Sequence, residues 1–266
     1  THTTMTKNSD ISLEIRGERE EIAVIRLTRA AKRNALNDGL ILALRNLFDT
    51  MPASVRAAVI DGDGPHFCAG LDLSELQERD AGQGLHHSRM WHAALERVQY
   101  GPVPVVAALH GAVVGGGLEL ASACHIRVAD ASTFYALPEG SRGIFVGGGG
   151  AVRIPKLIGA ARMADMMLTG RVYNAQDGER VGLAQYLVPE GQAFDKALEL
   201  AVRVAQNAPL TNYALMHALP RIAEQPADQG FFTEAMMAAI AQSAPEAKAR
   251  LADFLEGRAA KVRKED

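Results

Sequence analysis

Residues 103–121 have the sequence VPVVAALHGAVVGGGLELA, and the rest of the chain is organised around this stretch. Its first half is a short apolar run with β-branched residues, which is typical of a buried strand. The strand should end at Gly111, and the glycines at 115–117 then lead into residues that favour a helix. A strand, a glycine turn and a helix start leave peptide N–H groups free at the positive end of a helix dipole. This stretch therefore predicts a site for an anionic ligand or for developing negative charge.

Strands and helices alternate around this stretch, which predicts an α/β core with largely parallel strand pairing. A hairpin is expected over 12–27, and Asn37 or Asp38 should cap the helix that follows. From residue 194 onward the pattern is helical, with Pro209, Pro226 and Pro245 between the helices. We therefore expect two parts: a core over 1–193 that carries the active site, and a helical subdomain over 194–266.

The composition excludes several classes of protein. The 266 residues are 48% hydrophobic and 22% charged, with a formal net charge of −3, which argues against binding nucleic acid or a membrane surface by bulk charge. No apolar run is long enough for a membrane span, and the first residues lack the apolar core of a signal peptide, so a cytoplasmic protein is expected. Cys68 and Cys124 form neither a disulfide framework nor a metal site, and we expect both to be buried.

Among the common catalytic motifs, the sequence contains no dinucleotide-binding or P-loop glycine pattern and no G-x-S-x-G nucleophile motif. Two carboxylates remain, Glu119 after the triple glycine and Glu139 after a predicted strand. Either one alone is more often structural than catalytic. Together with two glycine turns they match one chemistry: two N–H donors stabilise a thioester enolate, while one carboxyl group acts as base and the other as acid.

Three segments resemble the enoyl-CoA hydratase (crotonase) family: FCAGLDL at 67–73, HGAVVGGGLELA at 110–121 and ALPEG at 136–140. The resemblance extends from the N-A-L segment at 34–36 to the segment at 254–256. It implies an α/β fold, a crotonase-type spiral of ββα units, with a C-terminal helical region that forms trimers. Trimers of this family typically pair into hexamers, so a homotrimer or homohexamer is expected.

The resemblance also implies the roles of individual residues. The backbone N–H groups of Leu71 and Gly116 would form the oxyanion hole. Glu119 would orient and activate water, and Glu139 would protonate Cα of the substrate. A glutamate at both positions is typical of hydratases, whereas relatives that isomerise, dehalogenate or hydrolyse often carry another residue at one of them.

Coenzyme A would enter as part of an acyl-CoA thioester substrate, with no separate cofactor, metal, nucleic acid or membrane partner. The positions that the resemblance assigns to CoA binding are Lys32, Arg33, Ala35, Ala69, Asp72 and Leu73. The chain departs from the family at two positions that often carry a lysine, since it has Ser74 and Gly257 there, with Arg258 adjacent to the second. The contacts to the CoA phosphates should therefore differ from those of relatives that carry these lysines.

The loop after Glu139 bears on the acyl group. Phe145 and Val146 should line the acyl pocket, and the glycines at 147–150 allow close backbone approach, which favours a short acyl group. In this loop the chain is similar to the methylthioacryloyl-CoA hydratase branch, where hydration leads on to acetaldehyde, methanethiol and CoA. Two alternatives stay open: another acyl-CoA hydrolase or isomerase on this fold, and a non-enzymatic RNA-binding or scaffold relative.

Overall fold

The computed structural model describes residues 3–4, 10–260, 262 and 264. The strands are β1 (Thr3–Thr4), β2 (Ile11–Arg16), β3 (Ile22–Leu27), β4 (Ala57–Gly62), β5 (Val105–Leu109), β6 (Ala112–Val114), β7 (Ile126–Asp130), β8 (Phe134–Ala136), β9 (Tyr173–Asn174) and β10 (Tyr186–Val188). The helices are α1 (Asp38–Asp49), α2 (Ala81–Gln99), α3 (Gly116–Ala123), α4 (Gly150–Ile158), α5 (Ala160–Thr169), α6 (Ala175–Val181), α7 (Ala193–Ala205), α8 (Pro209–Tyr213), α9 (Leu219–Ile222), α10 (Ala227–Ser243) and α11 (Pro245–Leu255). Short 3₁₀ turns cover Ala30–Lys32, Leu73–Glu75 and Gly140–Arg142, and a π-helical turn covers Ala214–Ala218.

The main sheet has the strand order β1-β2-β3-β4-β5-β7-β10. Within this sheet, β1 pairs with β2 and β2 with β3 in antiparallel fashion, and every pair from β3 onward is parallel. The predicted, largely parallel strand pairing is therefore confirmed. Val24 lies opposite Val59, and Val59 lies opposite Val106. These valines point to the face that α7 covers, and their neighbours along the strands belong to the core on the other face. Both faces are therefore buried, as apolar parallel strands require.

Helix boundaries follow local capping. α1 begins after Asn37, whose side chain accepts a hydrogen bond of 2.8 Å from the Leu40 N–H. α2 begins at Ala81, because Asp80 and Gln83 form a reciprocal capping box. The polar composition of this first turn concealed the helix in the sequence.

A second sheet of order β6-β8-β9 holds the chain at the point where β5 ends. The sequence did not predict β6. Gly111 has a φ of +53°, and a Cβ there would collide with the Pro65 carbonyl oxygen, so only glycine makes the turn between β5 and β6. β6 then pairs in parallel with β8, which brings the residues after each strand to the same edge.

The chain divides into two compact units, 1–205 and 206–266. The predicted boundary at 193/194 differs from this division because α7 belongs to the first unit. Its Ala197, Leu200 and Ala201 are buried in the apolar cluster that includes Val106 on the main sheet. The second unit is helical, as predicted, with α8 to α11 separated near the expected prolines. Among the described residues, no helix combines the length and the apolar character that a membrane span needs.

Candidate active site

Two peptide N–H groups, those of Leu71 and Gly116, lie beside each other. Gly70 has a φ of +96°, and a Cβ there would lie 2.7 Å from the Val114 carbonyl oxygen and 3.2 Å from the Gly116 nitrogen. A Cβ on Gly116 would lie 3.6 Å from the Leu71 nitrogen. The two backbone segments therefore approach as closely as they do because glycine occupies both positions.

Neither of these N–H groups donates a hydrogen bond to another residue in the part of the chain that the structure describes. The Leu36 N–H donates to the Gly70 carbonyl at 2.7 Å, and the Asp72 N–H donates to the Leu36 carbonyl at 2.8 Å. This parallel bridge turns the Leu71 N–H toward the opposite side. Gly116 is the first residue of α3, so its N–H belongs to the positive end of that helix.

A partly buried ion pair between Arg29 and Asp72, which the sequence did not predict, holds this segment. The Asp72 carboxylate accepts a hydrogen bond of 2.8 Å from Arg29 and bonds of 3.0 and 2.6 Å from the N–H and hydroxyl of Ser74. The bond from the Ser74 hydroxyl, followed by that from Arg29 and that from the Ser74 N–H, lowers the pKa of Asp72 to about 2. Arg29 also donates to the Ala35 carbonyl at 2.5 Å. The Asp72 carboxylate is therefore engaged within the protein, and its contact with CoA stays a prediction.

The other positions predicted to bind CoA lie around the same segment. Lys32 and Arg33 are exposed, and the Arg33 carbonyl accepts a hydrogen bond of 2.9 Å from the Ala69 N–H. Ala35 is buried, while Leu73 is 51% exposed. The fold thus brings these positions together, and their contact with CoA stays a prediction. In the C-terminal unit, the Arg258 guanidinium pairs with Asp253 and Glu256.

Glu119 lies in the first turn of α3 and is 4% exposed. Its Oε1 accepts hydrogen bonds from the Gly148 N–H at 2.9 Å and from the Gly150 N–H at 3.0 Å. Burial raises the pKa of Glu119 to about 7, although these two bonds oppose the rise. The charge of Glu139 raises the pKa further.

Glu139 follows β8, which pairs with the strand that leads into Gly115. A Cβ on Gly115 would lie 2.8 Å from Oε1 of Glu139, and the φ of Gly115 is +54°. Oε2 of Glu139 is buried and has no hydrogen-bond partner among the described residues. Burial raises the pKa of Glu139, and the charge of Arg142 opposes this with a smaller effect. The exposed Arg142 therefore acts on the pKa of this carboxyl group.

Trp91 on α2 is a further residue of the site, and the sequence had no signal for it beyond its being the single tryptophan. Its indole ring would lie 3.3 Å from a Cβ on Gly116 and 3.4 Å from a Cβ on Gly148. The indole N–H donates to Asp38 at 3.2 Å. Trp91 therefore fills the space between the predicted oxyanion hole and the loop that binds Glu119.

Arg153 on α4 lies behind the same loop. Its guanidinium donates to the Gly148 carbonyl at 3.2 Å and to the side chain of Gln99 at 2.6 Å. Burial lowers the pKa of Arg153, and its charge in turn lowers the pKa of Glu119. A buried arginine of this kind is not distinguishable in the sequence from a surface arginine of an amphipathic helix.

The side chains that ligate metals do not assemble into a centre. Within the described residues, no group of three or more His, Cys, Asp and Glu side chains is placed to hold a metal ion. Cys68 and Cys124 are buried, as predicted, and burial raises the pKa of each thiol to about 12. His87 contacts Asp38 at 2.7 Å, and His92 contacts Ser88 at 3.3 Å, so both contribute to local hydrogen bonds.

The assembled groups suit one kind of chemistry. Two adjacent N–H donors at a helix start stabilise an oxyanion, and two neighbouring carboxyl groups with raised pKa values serve as acid and base near neutral pH. The site has these four parts within the first unit of the chain.

Comparisons with known proteins place the chain in one family. Residues 17–265 match the family model described as enoyl-CoA hydratase/isomerase. The 2,3-dehydroadipyl-CoA hydratase of Escherichia coli K12 is 30% identical over 243 residues, which cover 90% of this chain and 94% of that protein. A crystal structure from Rhodopseudomonas palustris CGA009, of a protein assigned as an enoyl-CoA hydratase, is 58% identical with a TM-score of 0.91 and covers 96% of this chain and 98% of that one. The enoyl-CoA hydratase structure from Bacillus anthracis is 30% identical with a TM-score of 0.86, over 94% and 97% of the two chains.

The chain belongs to the enoyl-CoA hydratase/isomerase family. Its α/β fold is that of the crotonases, with the expected helical C-terminal region, so the predicted fold class is confirmed. It is an enzyme of the enoyl-CoA hydratase type, a hydro-lyase, which also confirms the predicted enzyme class.

Proposed function

We propose that this enzyme adds water to the double bond of a short α,β-unsaturated acyl-CoA. The observation that carries the proposal is the pairing of Glu119 and Glu139, both with a raised pKa, next to the adjacent N–H groups of Leu71 and Gly116. A hydratase needs a base for water, an acid for Cα and a stabiliser for the enolate, and these four groups supply all three.

The mechanism assigns one task to each group. The thioester oxygen accepts hydrogen bonds from the Leu71 and Gly116 N–H groups, which lower the energy of the enolate. Glu119 takes a proton from water as the water oxygen bonds to Cβ, and the electron pair of the double bond moves into the enolate. Glu139 then donates its proton to Cα, and the two carboxyl groups recover their protonation states by exchange with solvent. A pKa of about 7 leaves Glu119 partly ionised at neutral pH, as a general base requires.

The acyl-CoA thioester is the partner in this proposal, and CoA enters as its handle. The exposed Lys32 and Arg33 border the segment of Ala69 and carry the charge that would face the CoA phosphates. Proton transfer and N–H donation complete the reaction without a further cofactor. A homotrimer or homohexamer in the cytoplasm stays part of the proposal.

The acyl group should be short because Trp91 occupies the space beside Gly116 and Gly148. Val146 is 8% exposed and can line the same region, whereas Phe145 is 71% exposed. The role of Phe145 as a wall of the acyl pocket stays a prediction. The relatives act, by their names, on dehydroadipyl-CoA and methylglutaconyl-CoA.

A two-channel assay tests the proposal. Crotonyl-CoA and methylthioacryloyl-CoA are each incubated with the enzyme, while loss of enoyl-thioester absorbance and appearance of free thiol are followed in the same sample. The proposal predicts loss of crotonyl-CoA absorbance without thiol release. Thiol release from the methylthio substrate alone would assign the chain to that branch, and thiol release from both substrates would support the hydrolase alternative. Lack of change in both channels would refute hydration of short enoyl-CoA.

A further inference from the structure

One planar peptide unit joins α2 to Glu119. The Ser88 hydroxyl donates to the Gly147 carbonyl oxygen at 2.6 Å. The N–H of the same peptide, on Gly148, donates to Oε1 of Glu119 at 2.9 Å. Because the carbonyl and the N–H of a trans peptide point in opposite directions, holding one fixes the direction of the other.

A chain of hydrogen bonds passes through Ser88, and in each bond the donor lies on the side away from Glu119. Nη1 of Arg89 lies 3.3 Å from Nδ1 of His92, so Nδ1 acts as acceptor and the ring proton belongs on Nε2. Nε2 lies 3.3 Å from the Ser88 hydroxyl oxygen and donates to it. The hydroxyl proton of Ser88 is thereby directed to Gly147. Burial, followed by the charges of Arg89 and Arg153, lowers the pKa of His92 and favours the neutral ring that this arrangement needs.

The peptide between Gly147 and Gly148 needs such a restraint. Neither residue has a side chain to resist rotation, and a rotated peptide would point its carbonyl oxygen at a buried carboxylate. The second donor to Glu119, the Gly150 N–H, does not need such a restraint, because Gly150 is the first residue of α4 and the helix holds it. The orientation of the 147–148 peptide therefore depends on groups outside the loop.

We propose that Ser88 is a positioning residue for Glu119, which acts by fixing the peptide that donates to the catalytic carboxylate. His92 supports the serine and also faces the Gly147 carbonyl, so it can replace part of this function. The inference rests on the proposed role of Glu119 as the base. It assigns to α2 a part in catalysis that does not involve contact with substrate.

The kinetic test compares Ser88→Ala with Ser88→Thr, which keeps the hydroxyl. Ser243→Ala is the matched control, because the Ser243 hydroxyl also donates to a backbone carbonyl, that of Ile240 at 2.7 Å, on a helix of the second unit. With crotonyl-CoA as substrate, Ser88→Ala should lower kcat about tenfold while KM and the Kd for butyryl-CoA stay within about twofold. Ser88→Thr should return kcat to within about threefold of the wild type, and Ser243→Ala should match the wild type.

An unchanged kcat in Ser88→Ala would overturn the inference. So would a parallel loss of kcat, substrate affinity and thermal stability that Ser88→Thr does not restore, because that pattern describes a general packing role. A second measurement needs no turnover: crystal structures of the wild type and of Ser88→Ala combined with His92→Phe. The inference predicts a rotated 147–148 peptide in the double variant, and a retained orientation overturns it. If the wild type proves inactive on every enoyl-CoA, the proposed function fails while this structural comparison still decides the role of Ser88.

Discussion

Glu119 and Glu139 are the same type of side chain in two different surroundings. Glu119 receives two peptide N–H groups on one oxygen. One is that of Gly148, in a loop whose carbonyls accept hydrogen bonds from Ser88 and Arg153, and the other is that of Gly150, the first residue of α4. Glu139 follows β8, and its buried Oε2 has no hydrogen-bond partner among the described residues. Burial raises the pKa of both groups.

Glu119 is fixed by hydrogen bonds, whereas Oε2 of Glu139 is free to exchange a proton. The N–H groups on Glu119 stabilise its ionised form and oppose the effect of burial, so that it can accept a proton near neutral pH. Glu139 lacks comparable donors on Oε2, and the protonated form suits a group that must give a proton to carbon. The following predictions test whether this division holds.

The largest effect should come from removing each carboxyl group. Glu119→Gln and Glu139→Gln should each lower kcat for hydration about a thousandfold, since each removes one proton-transfer step. In Glu119→Gln the new amide oxygen can still accept the Gly148 and Gly150 N–H groups, so butyryl-CoA binding should remain close to that of the wild type. Kinetics with crotonyl-CoA and calorimetric titration with butyryl-CoA measure the two quantities. A double variant that still hydrates crotonyl-CoA would contradict the assignment.

The next largest effect is a dependence of the free energy of unfolding on pH that involves Glu119. The pKa of Glu119 is raised from 4.5 to about 7 in the folded chain, so the folded state binds this proton more tightly than the unfolded state. Its stabilising contribution is complete below the unfolded pKa and is lost as the pH rises through about 7. Glu119→Gln does not ionise, so from pH 4 to pH 8 the variant should gain on the order of 3 kcal/mol in free energy of unfolding relative to the wild type.

Urea denaturation of both proteins at the two pH values, at one protein concentration, measures this difference. The same comparison for Glu139→Gln should give a change of the same sign, because the pKa of Glu139 is also raised. A difference between Glu119→Gln and the wild type that does not vary with pH would show that the carboxylate is not perturbed in the folded chain.

Glycine substitutions should disturb the two glutamates separately. A Cβ on Gly148 would lie 2.8 Å from Oε2 of Glu119, and a Cβ on Gly115 would lie 2.8 Å from Oε1 of Glu139. In each case the nearest atom is the end of a flexible side chain, so the carboxyl group should move while the fold persists. We expect Gly148→Ala and Gly115→Ala to lower kcat about tenfold or more, with the melting temperature changed more in Gly115→Ala because of its φ of +54°.

Gly143→Ala is the control for backbone strain. Gly143 has a φ of +71°, and a Cβ there would meet no atom within 4 Å. This variant should share the loss of stability expected of Gly115→Ala and keep its kcat. If Gly143→Ala lowers kcat as strongly, then strain rather than displacement of a carboxyl group explains the effect.

Much of this site was predictable because its parts are local. Glu119 follows three glycines, Leu71 follows Gly70, and Glu139 follows a strand, so short segments of sequence carry the oxyanion hole and both carboxyl groups. The parallel core followed in the same way from apolar runs separated by helical patterns. β6 escaped prediction because three residues after a glycine turn have no periodicity of their own.

The supporting residues were not predictable because their contacts join distant positions. Arg29 reaches Asp72 and Ser88 reaches Gly147 only after the sheet has brought these segments together. Arg29 appears in the sequence as one of several cations near residue 30, and Ser88 as a polar residue of an amphipathic helix. The end of the first unit at Ala205 was missed for a related reason, since an amphipathic helix pattern does not show which surface the helix covers.

The smallest effect tests whether the Glu119 side depends on specific bonds or on the general stability of α2. Gly84 lies in the first turns of that helix, its φ is not positive, and a Cβ there would meet no atom within 4 Å. Gly84→Ala should therefore raise the free energy of unfolding by about 0.5–1 kcal/mol, because alanine loses less conformational entropy than glycine in a helix. The added methyl group would contact neither the Ser88 nor the Trp91 side chain, so kcat for crotonyl-CoA should not change. If stabilising α2 alone raises kcat, then the motion of the whole helix limits Glu119, and the bond from Ser88 to the Gly147 carbonyl is a consequence of helix position rather than the restraint itself.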